Sequence, residues 1–213
     1  MVEDIVIIGA GGLGREVSLL IDYINLREKK YNKIGFYDDG IPEGNQIADL
    51  RVLGNVSDLN LTTSMLNVVI AIGNPGILRA ISKRLTNKLL RYPNLIHPEV
   101  KYVLGRNRIG IGNIFTEGFI MTCDITIGNF NIFNCHVLLG HDVKIGNFNV
   151  FNPSTQIAGD VVIGNANFFG INSCVLQSLT IGNENMLGAS SLLTRRIQDC
   201  KKYFGIPAKI LEE

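Results

Sequence analysis

The feature that most constrains the fold is a six-residue beat between Ile127 and Leu193. Every sixth residue is large and apolar: Ile127, Phe133, Leu139, Ile145, Phe151, Ile157, Ile163, Phe169, Val175, Ile181, Leu187 and Leu193. In a chain that is 46% hydrophobic, an unbroken series of this length does not arise by chance. A longer beat sits above it, because Ile-Gly-Asn-x-Asn recurs at 127–131, 145–149, 163–167 and 181–185, an interval of eighteen. Three hexads make one coil, and the pattern predicts a parallel β-helix of hexapeptide repeats. A sandwich of hairpins would instead show period-two alternation and no coil interval.

A single coil cannot bury its own apolar face, so each beat residue contributes only when a neighbouring coil covers it. The interval places Phe133, Phe151 and Phe169 in one column. It places Asn131, Asn149, Asn167 and Asn185 in another, where amides would hydrogen-bond up the stack. Gly128, Gly146, Gly164 and Gly182 follow a beat residue and are expected at turns of positive φ. The beat starts at Val103, but Ile111-Gly112-Asn113 stands two residues out of step, so an irregular first coil is expected. Beyond Leu193 the beat ends, and Arg195, Arg196, Lys201, Lys202 and Lys209 make the tail locally basic.

The first part of the chain has a different grammar. Residues 4–9 form an apolar run closed by glycine, typical of a buried parallel strand. Gly9-Ala10-Gly11-Gly12-Leu13-Gly14 follows, and then a helical pattern to about Lys30 with Val17, Leu20, Ile21 and Ile24 on one face. Strand, glycine turn and helix make a cradle for phosphate, because backbone N–H groups at the helix end point at the anion. A second strand over Lys33–Tyr37 ends at Asp38-Asp39, where an acid would meet a ribose hydroxyl. A third, Val68–Ile72, ends at Gly73-Asn74, with Asn74 as helix N-cap and Pro75 as first helical residue. All three endings lie at the carboxyl edge of a parallel sheet, where such folds bind ligands. Two domains are expected, 1–97 and 98–213, joined through Tyr92-Pro93-Asn94-Leu95-Ile96-His97-Pro98.

Twenty basic and nineteen acidic side chains leave a net charge of +1, which argues against a grip on nucleic acid or an anionic membrane. No apolar run reaches the length of a membrane span, and the opening strand with Glu3 and Asp4 is unlike a signal peptide. Cys123, Cys135, Cys174 and Cys200 form no CxxC pair and are expected as reduced thiols, those in the coils serving as small apolar fillers. A soluble cytoplasmic protein is the simplest expectation.

Three histidines bound the acid–base chemistry. His97, before a proline, reads as structural or solvated. His136 and His141 lack the partners of a zinc site, so no metal is expected. His141 is followed by Asp142, an acid able to fix the imidazole tautomer and leave the other nitrogen to take a proton. By local pattern alone this is equally a turn histidine with an incidental neighbour. Cys135 beside His136 is set aside as a nucleophile, since adjacent strand residues point to opposite faces.

Taken together, Gly9–Gly14, Phe36-Tyr37-Asp38-Asp39, Ile70-Ala71-Ile72-Gly73-Asn74, Asn94–Pro98, Gly140-His141-Asp142 and Gly205-Ile206-Pro207-Ala208-Lys209 resemble one family over essentially the whole chain. It is the PglD/NeuD-type sugar acetyltransferases, among the hexapeptide-repeat acyltransferases. The resemblance implies an α/β Rossmann-like N-terminal domain followed by an all-β left-handed parallel β-helix, assembled as a homotrimer with active sites between subunits. It implies acetyl-CoA as co-substrate and a UDP- or dTDP-linked amino sugar as acceptor, held by Gly11, Gly12, Leu13, Asp38, Asp39, Gly73 and Asn74. His141 falls at the general base, Asp142 at its orienting acid, and Asn134 at an asparagine on the same coil corner. Acetyl-CoA contacts fall on Val150, Ile171 and Ala189, with the Gly159 N–H facing the thioester oxygen. Glu also occurs in the family at the place of Asp142, some relatives carry a polar residue in place of Val150, and some a glycine in place of Ala189. The alternatives are O-acetylation of sialic acid or another sugar hydroxyl, an NAD-dependent enzyme suggested by the glycine loop, and a non-catalytic trimeric scaffold.

Overall fold

The computed structural model describes residues 2–101 and 105–211, so the start of the beat at Val103 lies outside the described residues. The chain divides into two compact units, Met1–Gly73 with Ile77–Pro98 and Asn74–Gly76 with Glu99–Glu213.

The first unit is built on β1 (Glu3–Ile8), α1 (Gly12–Arg27), β2 (Tyr31–Tyr37), β3 (Leu66–Ile70), α2 (Pro75–Arg84) and β4 (Leu90–Arg91). The strands form a parallel sheet in the order β2-β1-β3-β4. Its central runs Ile5–Ile8 and Val68–Ile70 are buried, as continuous apolar strands of a covered sheet should be. Because the chain leaves β1 for β2 and then crosses back to β3, the direction of winding switches between β1 and β3. The carboxyl ends of those two strands are therefore the switch point at which open parallel sheets bind their ligands. Helix α1 stops at Arg27, short of Lys30, because Asn25 takes over the next turn: its Oδ1 accepts the Lys30 and Tyr31 N–H groups and its Nδ2 donates to the Tyr31 carbonyl. His97 is buried and packs edge-on against Tyr23, with ring centroids 5.1 Å apart.

The second unit is the β-solenoid that the beat predicts. Two-residue parallel strands stack into three faces, each stepping by eighteen. The first face runs from Arg108–Ile109 through Thr126–Ile127 and Lys144–Ile145 to Thr180–Ile181. A second runs from Ile114–Phe115 through Ile132–Phe133 and Val150–Phe151 to Met186–Leu187. The third runs from Ile120–Met121 through Leu138–Leu139 and Gln156–Ile157 to Leu192–Leu193. From Phe115 to Leu193 every beat residue is buried, each contributing roughly 1.5–3 kcal/mol of transfer free energy. The aromatic column holds four rings, Phe115 below the expected three, at centroid spacings of 4.9, 4.8 and 4.6 Å.

Three expectations are corrected. The first coil is in register from Arg108, since Arg108–Ile109 pairs with Thr126–Ile127 and Ile114–Phe115 with Ile132–Phe133. The out-of-step motif is a coincidence of letters: Gly112 occupies a left-handed corner at φ +69° and Asn113 is the foot of the buried asparagine column. The glycines after the beat do not carry positive φ. That conformation falls two residues later, at Asp124, Phe130, His136, Asp142, Phe148 and every sixth residue to Ser190, with φ between +52° and +61°. Gly128, Gly146 and Gly164 are small for another reason, because a Cβ there would collide with the carbonyl oxygen of the glycine one coil on. The cysteines are free, as expected, but none fills the core: Cys123 and Cys174 are half-buried and Cys135 and Cys200 exposed. None of the four stands on the beat.

The last coil is two residues short, pairing Met186–Leu187 with Lys202–Tyr203. The chain then reverses, and Lys209–Ile210 adds an antiparallel strand beside Tyr203–Phe204. This hairpin ends the stack with a strand that does not continue the parallel pattern, as a terminal cap must.

Candidate functional site

In the first unit the glycine loop divides its labour. Gly9 sits at φ +95°, and a Cβ there would lie 2.7 Å from Ile72 Cδ1 and 2.8 Å from the Ala71 carbonyl oxygen. A Cβ on Gly14 would overlap the Gly9 carbonyl oxygen. These two glycines let helix, loop and strand approach. Gly11 and Gly12 are different: both are exposed and nothing lies within 4 Å of a Cβ built on either. Their missing side chains leave open space over the first N–H groups of α1, where the helix partial charge favours an anion. Leu13 is half-buried, its Cδ2 lying 3.9 Å from a Cβ built on Gly73, so the β1 and β3 endings meet at this residue. Gly73 and Asn74 are exposed just ahead of α2.

The two acids after β2 are both engaged. Asp38 Oδ2 accepts the Ala10 N–H at 2.8 Å, and its Oδ1 accepts the Gly40 and Ile41 N–H groups at 2.8 and 3.1 Å. Asp39 Oδ1 accepts the Val56 N–H at 2.9 Å while Oδ2 pairs with Arg84 at 2.5 Å. Burial works to raise the Asp39 carboxyl, but the Arg84 and Val56 hydrogen bonds outweigh it and hold it below the ordinary carboxylate value.

In the second unit the candidate pair His141 and Asp142 lies at the corner that follows the third face. Asp142 occupies a left-handed position, a conformation aspartate tolerates better than most residues. There its Oδ2 stands 2.8 Å from His141 Nδ1. Both side chains are exposed, at 64% for His141 and 59% for Asp142. The stack fixes the backbone beneath them, since the Asp160 N–H donates to the His141 carbonyl and the Asp142 N–H to that of Cys123. One coil on, Gly159 lies under the imidazole, and a Cβ there would stand 2.5 Å from Nε2. A Cβ on Gly140 would stand 2.6 Å from the Gly159 nitrogen. Two absent side chains thus let the imidazole lie against Gly159 and the Gly140 backbone close on the Gly159 nitrogen. Replacing Gly159 with alanine is expected to displace the ring and lower turnover by about a hundredfold, the scale of an ångström-level misplacement. Steady-state kinetics beside an unfolding curve would separate this from a general loss of stability.

The other candidates lie elsewhere on the coils. Asn134 shares a coil with His141 but not a corner: it precedes the strand Leu138–Leu139 and His141 follows it. The expectation of a common corner is corrected on that ground. Ile171 and Ala189 also precede the third face, in successive coils, and both are exposed, with the Ser190 N–H bonded to the Ile171 carbonyl. Val150 is fully buried in the second face. Cys135 and His136 are both exposed at a corner, so the strand argument against their pairing does not apply to them. Among the described residues no group of His, Cys, Asp or Glu is arranged to hold a metal, and no helix is long and apolar enough to cross a membrane. A feature with only a faint sequence signal is a cleft of about 790 Å³ at the end of the solenoid, lined by Arg195, Arg196 and Lys201 and, among the described residues, by no carboxylate. The basic tail hinted at it, but the shortened last coil that forms it is invisible to the beat.

The fold is a parallel-sheet domain with a glycine loop joined to a hexapeptide solenoid, and it is similar to PglD-like acetyltransferases. Residues 4–85 match the family model of the PglD N-terminal domain. Among solved structures, the acetyltransferase domain of PglB from Neisseria gonorrhoeae is 26% identical, with a TM-score of 0.89 over 98% of this chain and 100% of that one. A histidine-to-asparagine mutant of perosamine N-acetyltransferase from Caulobacter crescentus, solved with CoA and GDP-perosamine, is 24% identical, with a TM-score of 0.87 over 100% and 99%. WeeI from Acinetobacter baumannii is 23% identical, with a TM-score of 0.85 over 98% and 100%. No curated protein sequence matches the chain.

Proposed function

We propose that the chain is an acetyl-CoA-dependent N-acetyltransferase acting on the amino group of a nucleotide-linked amino sugar, in the cytoplasm, with His141 as general base. The observation that carries this reading is the corner itself, where His141 Nδ1 is held by Asp142 and the imidazole lies against the backbone of Gly159. With Nδ1–H donated to the carboxylate, Nε2 keeps its lone pair for a proton. The sugar amine attacks the thioester carbonyl carbon, a C–N bond forms and the C–S bond breaks. The amine proton passes to Nε2 and from there to the departing CoA thiolate, so no covalent acyl-enzyme is required. The Gly159 N–H is the donor to the developing oxyanion.

The basic cleft supports CoA as the donor. Arg195 lies three coils beyond His141 at the corresponding corner, roughly 14 Å along the stack at the usual strand spacing. That separation suits a thioester at one end of an extended arm and phosphates at the other. The split of Ile171, Ala189 and Asn134 from His141 supports a closed threefold assembly, in which one copy's corner meets its neighbour's. The CoA and GDP-perosamine bound by the Caulobacter crescentus perosamine N-acetyltransferase support the donor and acceptor classes.

The test is acetyl transfer to a panel of UDP-, dTDP- and GDP-linked amino sugars, with CMP-sialic acid and free sialic acid as contrast. Turnover with at least one amino sugar and N-acetyl product by mass spectrometry is expected. Turnover confined to the sialic acids would replace this reading with O-acetylation, and turnover with none would remove both.

A further inference from the structure

We infer that Asp38 is a positioning residue that holds the phosphate cradle preformed, and that it does not read the ribose of the bound nucleotide. The inference rests on the nucleotide-sugar reading above. In a strand–glycine-loop–helix unit, an acid at the end of the second strand is the expected partner of the ribose diol. Here that carboxylate already accepts three backbone N–H groups. One oxygen reaches across to the glycine loop and takes the Ala10 N–H at 2.8 Å; the other takes Gly40 and Ile41 at 2.8 and 3.1 Å.

The neighbouring bonds make this a strut between two strand ends. The Gly9 N–H donates to the Tyr37 carbonyl at 2.9 Å, and the Asp38 N–H donates to the Gly54 carbonyl at 3.1 Å. Residues 37 and 38 therefore grip residues 9 and 10 immediately before the two glycines whose faces stand open. Ala10 is buried, so its N–H has no access to water if the carboxylate withdraws. Charge-assisted bonds of this kind are about twice as strong as neutral ones and define direction as well as distance. The arrangement sets the loop before ligand arrives, which lowers the ordering cost of binding.

The same carboxylate also brings a negative charge toward a site meant for phosphate, and this gives the inference opposite signs to test. Asp38→Asn keeps the size and one acceptor oxygen but turns an N–H donor toward a donor at either Ala10 or the Gly40–Ile41 turn. If Asp38 matters only as a charge, the variant binds a diphosphate more tightly. If it is a strut, the variant binds less tightly, by about tenfold, the scale of a lost hydrogen bond to a charged group.

Calorimetry on the intact two-domain chain, wild type and Asp38→Asn, would use UDP, GDP and their 2′,3′-dideoxy counterparts. The expected result is one common loss for ribo and dideoxy ligands. A loss confined to the ribo forms would make Asp38 a ribose ligand and overturn the inference, as would unchanged or tighter binding. Hydrogen exchange of ligand-free protein is the second readout. Amides of residues 10–14 should exchange faster in the variant, with the solenoid unchanged; unaltered exchange there overturns the strut even if no nucleotide binds. Failure of the wild type to bind any of the four, with faster loop exchange in the variant, would count against the nucleotide reading alone.

Discussion

Replacing His141 with alanine is expected to lower the turnover number for acetyl transfer by about 10²- to 10⁴-fold, the range over which a positioned general base acts. The side chain is largely exposed and its backbone is held independently, by the Asp160 N–H bonded to its carbonyl. Truncation therefore removes the imidazole without removing a backbone contact that the coil needs, and stability should change by less than about 0.5 kcal/mol. Acetyl-CoA binding by calorimetry should persist. Asp142→Asn is the companion variant. It keeps the size of the side chain but can present an amide donor to Nδ1, which weakens control of the tautomer, so its loss should be smaller than that of His141→Ala. Near-normal turnover in His141→Ala would take this histidine out of the chemistry and leave the corner as a turn.

The solenoid was legible because its determinant is local and repeated. Each beat residue faces inward at a fixed place in the coil, so period and burial are one fact seen twice, from Phe115 to Leu193. What escaped were features whose cause lies one coil away. Gly146 reads like a turn glycine until the neighbouring Gly164 carbonyl oxygen is seen to occupy the place of its Cβ. Ile111-Gly112-Asn113 copies the letters of the repeat at a different place in the coil, and only strand register exposes the copy. The site was legible in the same uneven way. His141 and Asp142 are adjacent in sequence and bonded in space, so local reasoning found them. Asn134 is seven residues before His141, and one strand between them moves it to another corner. Asp38 was found as an acid at a strand end, but its partners at residues 10, 40 and 41 belong to two loops whose approach no sequence interval encodes.

The second large effect concerns stability. Asn149→Ala should cost on the order of 4–6 kcal/mol, a substantial part of the 5–15 kcal/mol that holds a typical domain together. Asn149 is wholly buried. Its Nδ2 donates to Asn131 Oδ1 and to the Gly164 carbonyl, each at 3.0 Å, and its Oδ1 accepts the Asn167 N–H at 2.9 Å and Asn167 Nδ2 at 3.0 Å. Alanine leaves a backbone N–H, an amide N–H and a carbonyl oxygen short of partners at about 1–3 kcal/mol each. Asn165 is the control, because it makes the same kind of ladder between Asn147 and Asn183 at 2.8–2.9 Å but is half-exposed. Water can take over its partners, so Asn165→Ala should cost only about 1 kcal/mol. Denaturant unfolding of both variants measures the difference. Equal costs would mean that the ladders stabilise through coil-to-coil registry common to both columns, while the expected gap assigns the energy to the dryness of the inner one.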